Sequence, residues 1–409
     1  MKKIRKLFDI IINFVILIIS LFIPKSKKIW LFGSWFGERF SDNSRYLYLY
    51  CNDNKEKLNL NKVIWVTSNE EIIDDLKKNN FLVVRKNTIK SYWYHLRAGY
   101  HFIDQSPDNI DKYFSIRSKR VQLWHGVGFK NISCIEKAPE FKMFSYKIKR
   151  YIKKIVSPGC WNEYMFLSTS EFATKNIFNL SFRLWENKVI ESNYPRNIYI
   201  KNDYDIYIDN KQIRILELIK LKISQGKHIV GYFPTYREKP KLGEQGEKVY
   251  PFNIYTQDVF EKFDEYLCKE DIFIISKFHF AGDLSIIDTT ENFINIENDI
   301  DVYPFMKYLD LMITDYSSLY ADFLFLDKPI IFYPYDYSIY KNKDKGFLFD
   351  YNKVTPGTKV FDLEELKKAI INNLKLDNYK TERNKIKMMY FGENSDDTFD
   401  MLIEKIKSI

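Results

Sequence analysis

Residues 310–336 read DLMITDYSSLYADFLFLDKPIIFYPYD and contain one complete strand–turn–helix–strand unit. The apolar run LMIT predicts a buried strand, LYADFLFLDK predicts a helix, and PIIFYPYD predicts the next strand. Two buried strands joined through a helix are typical of a parallel βαβ unit. Ser317 and Ser318 stand where the helix should begin, and its unpaired N–H groups and positive dipole end favour an anion there. A serine at this position considered alone is most often a plain helix cap.

The same alternation of strands and helices runs through the rest of the chain. Strand-like runs include IWLFG at 29–33, KVIWVTS at 62–68, RVQL at 120–123, HIVGY at 228–232 and IFIIS at 272–276. The pattern predicts an α/β protein with an N-terminal domain over residues 29–205 and a C-terminal domain over residues 206–409. Ligands of doubly wound folds bind beyond the carboxyl ends of the strands. The polar residues that directly follow each strand are therefore the candidates for function.

Composition narrows the classes of partner and compartment. The 409 residues include 63 Lys and Arg against 54 Asp and Glu, a net charge of +9. This excess favours anionic partners such as phosphates or an acidic membrane surface, and no motif indicates nucleic-acid binding. The four cysteines are far apart and form no CxxC pair: Cys51, Cys134, Cys160 and Cys268. That spacing argues against a disulfide scaffold or a thiolate zinc site and fits a reducing compartment.

The N-terminus carries an apolar stretch with basic flanks. Residues 7–23 read LFDIIINFVILIISLFI, and lysines or arginines precede and follow them. Such a helix is about 26 Å long, just short of a hydrocarbon core of about 30 Å. We predict that residues 1–28 form a membrane-associated helix on the cytoplasmic face of the cell membrane, with Asn13 and Ser20 toward the headgroups. A spanning helix and an in-plane helix both fit, and a buried core helix is the alternative.

Three further strand ends carry residues suited to phosphate chemistry. His125 follows RVQL within Trp-His-Gly, and its usual pKa range suits proton transfer near neutral pH. Arg237 follows the strand of HIVGYFPTYR, where a guanidinium suits a phosphate. Lys277 and His279 project to the same side of an extended segment, an arrangement that suits a diphosphate and a proton donor. Each feature alone fits an ordinary structural residue, but several on successive strand ends favour one anion-binding site.

Several of these segments together resemble a known family. The run at 310–336 closely resembles the C-terminal signature of the CDP-glycerol glycerophosphotransferase family, whose enzymes build teichoic acids and related bacterial surface polymers such as capsules. QLWHGVGFK at 122–130 is similar to the family's Trp-His-Gly segment with its downstream Lys. GSWFGERFSDNSR at 33–45 resembles its acceptor-domain segment. NYPRN at 193–197, SKFHF at 276–280 and Pro356-Gly357 resemble three further family elements.

The chain also departs from the family pattern. Val127-Gly128 replaces a small-residue–Pro pair after the His-Gly, and Phe278 and Phe280 replace both prolines around His279. Asn193 and Ile198 replace a Gly and an Asp around Pro195-Arg196. The polar residues are retained while their backbone settings differ. The departures therefore leave the expected type of reaction unchanged, and the identities of the donor and the acceptor stay open.

The resemblance implies a fold and a reaction. The fold is GT-B-like, with two Rossmann-like domains and a cleft between them. The C-terminal domain would hold the CDP donor and the N-terminal domain a polyprenyl-diphosphate-linked acceptor. An acceptor hydroxyl would attack the β-phosphorus of CDP-glycerol, or of a related CDP-alditol such as CDP-ribitol, and release CMP. No cofactor is firmly implied, and Mg²⁺ is left open as an assisting ion. Primase or polymerase action and the oligomeric state are not determined by the sequence.

The resemblance and the strand-end positions together assign roles to residues. His125 is the expected base on the acceptor hydroxyl, Asp42 is the second candidate, and His279 is the other catalytic residue. The expected donor-binding residues are Arg237, Lys277, His279, Asp315, Ser317, Ser318 and Asp322. The expected acceptor-binding residues are Gly37, Asp42, Asn43 and Lys130.

Two other functions fit the same pattern. A nucleotide-sugar glycosyltransferase of GT-B architecture would use the same crevice and an equally anionic donor. A non-catalytic membrane-associated scaffold would keep the fold and need neither histidine. The presence of both His125 and His279 argues against the scaffold.

Overall fold

The computed structural model describes residues 2–132, 164–182, 184, 188–202, 204–235, 250–278, 287, 289–338, 340 and 346–409, with only the backbone for residues 2–10. The chain divides into two compact units. Unit 1 comprises Met1–His125, Ser133–Tyr207 and Phe391–Ile409, and unit 2 comprises Gly126–Ile132 and Ile208–Tyr390. Each unit contains one parallel sheet, so the predicted α/β class with two parallel sheets is confirmed.

Unit 1 is built on a seven-stranded parallel sheet in the spatial order β3-β2-β1-β4-β5-β6-β7. Its strands are β1 Ser26–Phe32, β2 Lys62–Thr67, β3 Val83–Arg85, β4 Ala98–Ile103, β5 Lys119–Gln122, β6 Met165–Ser168 and β7 Val189–Glu191. Trp30, Leu31 and Phe32 are consecutive and all fully buried. A strand whose successive side chains are all buried has both faces covered, which is typical of a parallel sheet flanked by helices.

Unit 2 is built on a six-stranded parallel sheet in the order β10-β9-β8-β11-β12-β13. Its strands are β8 His228–Tyr232, β9 Ile272–Ser276, β10 Phe293–Asn295, β11 Leu311–Thr314, β12 Ile330–Phe332 and β13 Thr358–Lys359. β8, β9 and β11 are the apolar runs that the sequence predicts as strands. Because all the pairs are parallel, the polar residues that follow them lie along one edge of the sheet.

The helices follow the strands in the expected alternation. They are α1 Lys2–Leu21, α2 Asp42–Asp53, α3 Glu70–Lys78, α4 Ile89–Arg97, α5 Glu171–Ala173, α6 Asn179–Phe182, α7 Pro195–Lys201, α8 Asn210–Ser224, α9 Gln257–Lys269, α10 Tyr303–Met306, α11 Leu319–Phe323, α12 Tyr351–Val354, α13 Leu363–Lys375, α14 Lys380–Phe391 and α15 Phe399–Ser408. Several begin at side-chain caps, as when Asn69 accepts hydrogen bonds from the N–H groups of Glu71 and Ile72 at the start of α3.

Helix α1 has one face against unit 1 and one face exposed. Asn13, Ile16 and Ser20 are buried, and the Arg117 guanidinium donates to the Ser20 carbonyl. The expectation that Asn13 and Ser20 point toward headgroups is therefore wrong, because these residues share the face that packs on the protein. The exposed apolar residues are Ile11, Phe14, Val15, Ile18, Ile19, Leu21 and Phe22. Among the described residues, no helix combines the length and the apolar character needed to cross a membrane.

The C-terminal segment lies in unit 1, whereas the division by sequence assigned residues 391–409 to the C-terminal domain. The Tyr50 ring stacks on the Phe399 ring at a centroid distance of 4.5 Å, and its hydroxyl donates to Asp400 Oδ1 at 2.9 Å. Ser192 and Lys405 both donate to the buried Asp397 carboxylate. The contacts made by Tyr50 and Ser192 join residues more than 200 positions apart, which the local alternation of strands and helices cannot reveal.

Candidate active site

His125 follows the end of β5 and is held in one ring orientation. Its Nδ1 lies 2.9 Å from the backbone carbonyl oxygen of Asp104, the residue directly after β4. A ring nitrogen facing a carbonyl must carry the hydrogen, so in the neutral imidazole the lone pair lies on Nε2. The Trp124 ring packs on the imidazole at a centroid distance of 4.0 Å. Trp124 has a left-handed φ of 57° and Gly126 has a φ of 141°, so the chain turns sharply on both sides of the histidine.

Asp42 is buried in an ion pair with Arg196. Arg196 Nη1 lies 2.6 Å from Asp42 Oδ1, and both side chains are at most 8% exposed. The same oxygen accepts the N–H of Asn43 at 2.8 Å. Loss of this carboxylate would leave a buried guanidinium without its charged partner, so the ion pair holds both side chains in place. This geometry gives Asp42 a positioning role at the start of α2.

Asn43 and Asp104 join the start of α2 to the ends of β4 and β5. The Asn43 amide donates to the Trp124 carbonyl at 2.8 Å, and its oxygen accepts the Arg196 N–H at 3.2 Å. Asp104 is fully buried and accepts from the Asn109 amide at 2.9 Å. Burial, with the nearby Asp42 charge, raises the pKa of Asp104 well above its usual range. The sequence reasoning missed Asp104, although its place directly after YHFI is the same signal that selects His125.

Gly37, an expected acceptor-binding residue, lies in a tight turn after β1. Its φ is 90°, and a Cβ built on it would lie 3.2 Å from the Ser68 Oγ and from the Lys86 Cδ. Its carbonyl accepts the Ser68 N–H at 2.7 Å and the Thr67 hydroxyl at 2.6 Å. The backbone conformation therefore favours glycine, and a side chain at this position would be tightly placed against Ser68 and Lys86.

Asp315 holds the turn after β11 to the end of β8. Its Oδ1 accepts the N–H of Thr235 at 2.7 Å and also the N–H of Tyr316. Ser317 Oγ accepts the Leu319 N–H at 3.4 Å, and Ser318 stands at the cap of α11 without a side-chain capping bond. The carboxylate thus fixes the serine turn, while the two serines are the groups that suit an anion.

Two other expected donor-binding residues make intramolecular contacts in unit 2. Lys277 Nζ donates to the Ile300 carbonyl at 2.5 Å. Asp322 is fully buried and accepts the Tyr303 hydroxyl at 2.7 Å. Because Asp322 is buried and bonded to Tyr303, its contact is better explained by support of α11 than by donor binding. Arg237 and His279 lie outside the described residues.

The segment after His125 belongs to unit 2 and lies beside the serine turn. Leu348 donates its N–H to the Phe129 carbonyl at 2.6 Å, and Lys130 forms an antiparallel bridge with Phe347. A Cβ built on Gly128 would lie 3.3 Å from the Ser318 Cβ. Lys130, which the resemblance assigns to acceptor binding, is thus in the same unit as Ser317 and Ser318. No group of three or more His, Cys, Asp or Glu side chains in the described part of the chain is arranged to hold a metal ion.

Replacing Gly128 by valine is expected to raise the KM for a CDP donor by about tenfold with little change in kcat. A branched side chain at 128 would press on Ser318, because even a methyl group there is tightly placed. Initial rates at varied donor concentration measure the effect. Gly128→Ala is the matched control and should change the KM much less. An unchanged KM for Gly128→Val would show that the contact with Ser318 does not shape the donor site.

The comparison with protein families covers almost the whole chain. Residues 15–398 match the family model described as CDP-glycerol:poly(glycerophosphate) glycerophosphotransferase. The chain belongs to this family. The predicted family and transferase class are therefore confirmed.

Individual relatives agree with this assignment. The chain is 28% identical over 392 residues to the teichoic acid poly(glycerol phosphate) polymerase of Bacillus spizizenii, covering 94% of this chain and 92% of that one. It is also 28% identical over 356 residues to the teichoic acid glycerol-phosphate transferase of Staphylococcus aureus, covering 86% and 84%. These relatives include both a polymerase and a transferase.

Solved structures show a similar fold. The structure of the wall teichoic acid polymerase TagF superposes with a TM-score of 0.68 at 21% identity, covering 100% of this chain and 97% of that one. A histidine-to-asparagine variant of that polymerase soaked with CDPG superposes with a TM-score of 0.69, also at 21% identity, covering 100% and 97%. At this identity the likeness concerns the fold.

Proposed function

We propose that this protein transfers glycerol phosphate from CDP-glycerol to a hydroxyl of a polyprenyl-diphosphate-linked or polymer acceptor, with release of CMP, in teichoic acid biosynthesis. The observation that carries the proposal is the fixed tautomer of His125, whose Nδ1 faces the Asp104 carbonyl at 2.9 Å. This contact leaves Nε2 as the proton-accepting nitrogen in a chain that belongs to a glycerophosphotransferase family.

The reaction needs one proton acceptor and a site for charge on the donor. His125 Nε2 takes the proton of the acceptor hydroxyl as its oxygen bonds to the β-phosphorus of CDP-glycerol. The bond between that phosphorus and the bridging oxygen breaks, and the bridging oxygen leaves on CMP. The Asp104 carbonyl accepts the Nδ1–H bond throughout and stabilises the imidazolium that forms. Phosphoryl transfer depends mainly on such positioning and on neutralised charge.

The donor side of the proposal rests on the serine turn of unit 2. Asp315 anchors this turn through two backbone N–H groups, which orients Ser317 and Ser318. We propose that these serines bind the diphosphate, with Arg237, Lys277 and His279 supplying positive charge. Lys277 would exchange its contact with the Ile300 carbonyl for one with a phosphate oxygen.

A donor panel tests the proposed function. Purified full-length protein is incubated with a short-chain polyprenyl-diphosphate-linked acceptor that carries a free hydroxyl and, separately, with CDP-glycerol, CDP-ribitol, UDP-glucose or UDP-N-acetylglucosamine. Mass spectrometry of the products should show the added mass of glycerol phosphate and the formation of CMP with CDP-glycerol. Addition of a sugar from a UDP donor, with nothing transferred from either CDP-alditol, would instead support a glycosyltransferase.

We also propose that α1 lies in the plane of the cytoplasmic leaflet. The support is that one face of the helix is buried and the opposite face is exposed. Asn13, Ile16 and Ser20 face the protein, while Phe14 and Ile18 are 61% and 43% exposed. A helix with one face buried on its own domain cannot be surrounded by lipid, so an in-plane position fits better than a spanning one. Basic residues beside the helix add attraction to an anionic surface.

The double variant Phe14→Glu/Ile18→Glu is expected to lose most binding to anionic liposomes. Both changes place charge on the exposed face, where each apolar side chain contributes about 1–2 kcal/mol on entering the interface. Flotation of full-length protein with liposomes that lack acceptor measures the effect. Leu376→Glu/Met388→Glu changes two exposed apolar residues of unit 2 and is the matched control. Equal flotation of both variants and the wild type would contradict the proposed role of α1.

A further inference from the structure

Trp124, the residue directly before the candidate base, has an unusual backbone conformation. Its φ of 57° lies in the left-handed region, which is unfavourable for a residue with a Cβ and especially for a bulky one. Gly126, on the other side of the base, has a φ of 141°, which glycine adopts freely. The conformation of Trp124, unlike that of Gly126, must therefore be enforced by the structure around it.

Two buried carboxamides bind both backbone polar groups of Trp124. Gln122 Oε1 accepts the Trp124 N–H at 2.9 Å, and Asn43 Nδ2 donates to the Trp124 carbonyl at 2.8 Å. Both side chains are fully buried, and we call the two residues the carboxamide clamp. A buried backbone group that leaves its partner stays unpaired, which is costly. The clamp therefore disfavours the ordinary conformations that Trp124 would otherwise adopt.

Further contacts orient the two carboxamides. Asn43 Oδ1 accepts the Arg196 N–H at 3.2 Å, and Asn43 Nδ2 also lies 3.3 Å from the Leu123 carbonyl oxygen. Gln122 Nε2 donates to the Gln105 carbonyl at 3.4 Å. Turning either carboxamide over would place donor against donor and acceptor against acceptor. Each amide therefore has one orientation, in which it binds the Trp124 backbone.

The clamp determines where the His125 imidazole lies. The Trp124 carbonyl and the His125 N–H belong to one planar peptide unit, so binding that carbonyl fixes the direction in which the chain continues. The His125 ring then places Nδ1 2.9 Å from the Asp104 carbonyl oxygen. One peptide unit and two contacts, of 2.8 Å and 2.9 Å, therefore connect Asn43 to the orientation of the imidazole.

We propose that Asn43 and Gln122 are positioning residues for His125. The clamp holds Trp124 in the left-handed region and thereby keeps the imidazole on the Asp104 carbonyl, which leaves Nε2 as the proton acceptor. The inference rests on the proposed function, because it concerns the base of that reaction. It gives Asn43, an expected acceptor-binding residue, a role that needs no contact with the acceptor. It also gives a role to Gln122, the buried last residue of β5, which the sequence reasoning did not select.

Kinetic constants separate positioning of the base from binding of the donor. Gln122→Met and Asn43→Leu remove the clamp contacts, and each is expected to lower kcat about tenfold because the base is present but misplaced. The KM for CDP-glycerol should stay within about twofold of the wild type, since Ser317 and Ser318 lie in unit 2. Gln122→Glu keeps an oxygen for the Trp124 N–H and should retain most of the wild-type kcat. Equal losses of kcat for Gln122→Glu and Gln122→Met would contradict the proposal.

Gln212→Met is the matched control. Gln212 is also fully buried, its Oε1 accepts the Asp209 N–H at 3.2 Å, and its Nε2 donates to the Asp301 carbonyl at 3.1 Å. This variant loses the same kinds of hydrogen bond as Gln122→Met, but at the start of α8. Its kcat should stay within about twofold of the wild type. Thermal melting shows that each variant is folded, and Gln122→Met provides the test if Asn43→Leu does not fold.

Combining variants distinguishes positioning from a general structural role. In a His125→Ala background the clamp has no base to position, so adding Gln122→Met should change the residual kcat by less than about twofold. A general loss of rigidity would instead lower the residual kcat as much as it lowers the wild-type kcat. A tenfold fall in both backgrounds would therefore overturn the proposal.

Nitrogen NMR of the histidine rings tests the clamp without any transfer reaction. Full-length protein is labelled with ¹⁵N in its five histidines, and His125→Ala identifies the signals of His125. Above the usual pKa range of histidine, the wild type should show one Nδ1–H tautomer, whereas Gln122→Met and Asn43→Leu should show shifts averaged over both tautomers. Unchanged His125 signals in both variants would overturn the proposal. If the signals change as expected but the wild type releases no CMP from CDP-glycerol, the proposed function fails while the clamp stands.

Discussion

Replacing His125 by alanine is expected to lower kcat by at least about 100-fold, the usual scale for loss of a general base. The KM for CDP-glycerol should stay within about twofold, because His125 lies in unit 1 and the serine turn lies in unit 2. The loss of kcat is expected because the Asp104 carbonyl fixes Nδ1 of His125 as the protonated nitrogen, which makes Nε2 the proton acceptor. Steady-state rates of CMP release at varied donor and acceptor concentrations measure both constants.

His228→Ala is the matched control for this prediction. His228 is the first residue of β8, at the opposite end of a strand from the candidate site, and its side chain is 52% exposed. Its loss should leave kcat unchanged. A kcat within a few-fold of the wild type for His125→Ala would exclude His125 as the base and would direct attention to Asp42.

Removing the Asp42 carboxylate is expected to destabilise the protein by about 3–5 kcal/mol, because Arg196 would be left as an unpaired buried charge. The two groups lie 2.6 Å apart and are at most 8% exposed. Asp42 also has a left-handed φ of 64°, and Asn43 donates to its carboxylate, so the pair fixes the start of α2. Urea unfolding of Asp42→Ala, followed by the fluorescence of unit 1 tryptophans, measures the loss of stability.

The double variant Asp42→Ala/Arg196→Met should recover much of that stability, since it removes both buried charges together. Asp258→Ala breaks the exposed pair with Lys262, whose side chains are about 70% exposed, and should cost well under 1 kcal/mol. If Asp42→Ala is as stable as the wild type but inactive, Asp42 has a chemical role instead of the positioning role argued from its ion pair.

Much of the fold could be predicted because its signal is local. Apolar runs such as LMIT and IFIIS form β11 and β9 in the sheet of unit 2, at the places where the sequence predicts strands. The position of α15 in unit 1 could not be predicted, because it depends on contacts such as Tyr50 with Phe399. The buried face of α1 was missed for a similar reason. From the sequence, the polar residues Asn13 and Ser20 are expected to face lipid headgroups. The contact of Arg117 with Ser20, which places this face against the protein, joins residues that are distant in the sequence.

The candidate site could be predicted only in part. The sequence predicts roles for His125 and Ser318 because each follows a strand, and the polar residues that follow the strands of a parallel sheet lie along one edge of that sheet. The partner that fixes His125 is a backbone carbonyl, and no residue type signals such a contact. The sequence leaves Asp42 as a second candidate base, because it does not reveal the ion pair with Arg196, which is more than 150 residues away. The sequence also does not predict the positive φ of Trp35 and Phe36, because aromatic residues are not typical of the left-handed region.

The most direct test of the proposed chemistry follows the two halves of the donor through one turnover. CDP-glycerol is prepared with ³H in the glycerol and ³²P in the β-phosphate, and it is incubated with the full-length protein and a lipid-diphosphate-linked acceptor that carries a free hydroxyl. Attack on the β-phosphorus predicts that ³H and ³²P enter the product in a 1:1 ratio and that unlabelled CMP is released in equal amount. Product that contains ³H without ³²P, with the label left on CDP, would contradict glycerol phosphate transfer.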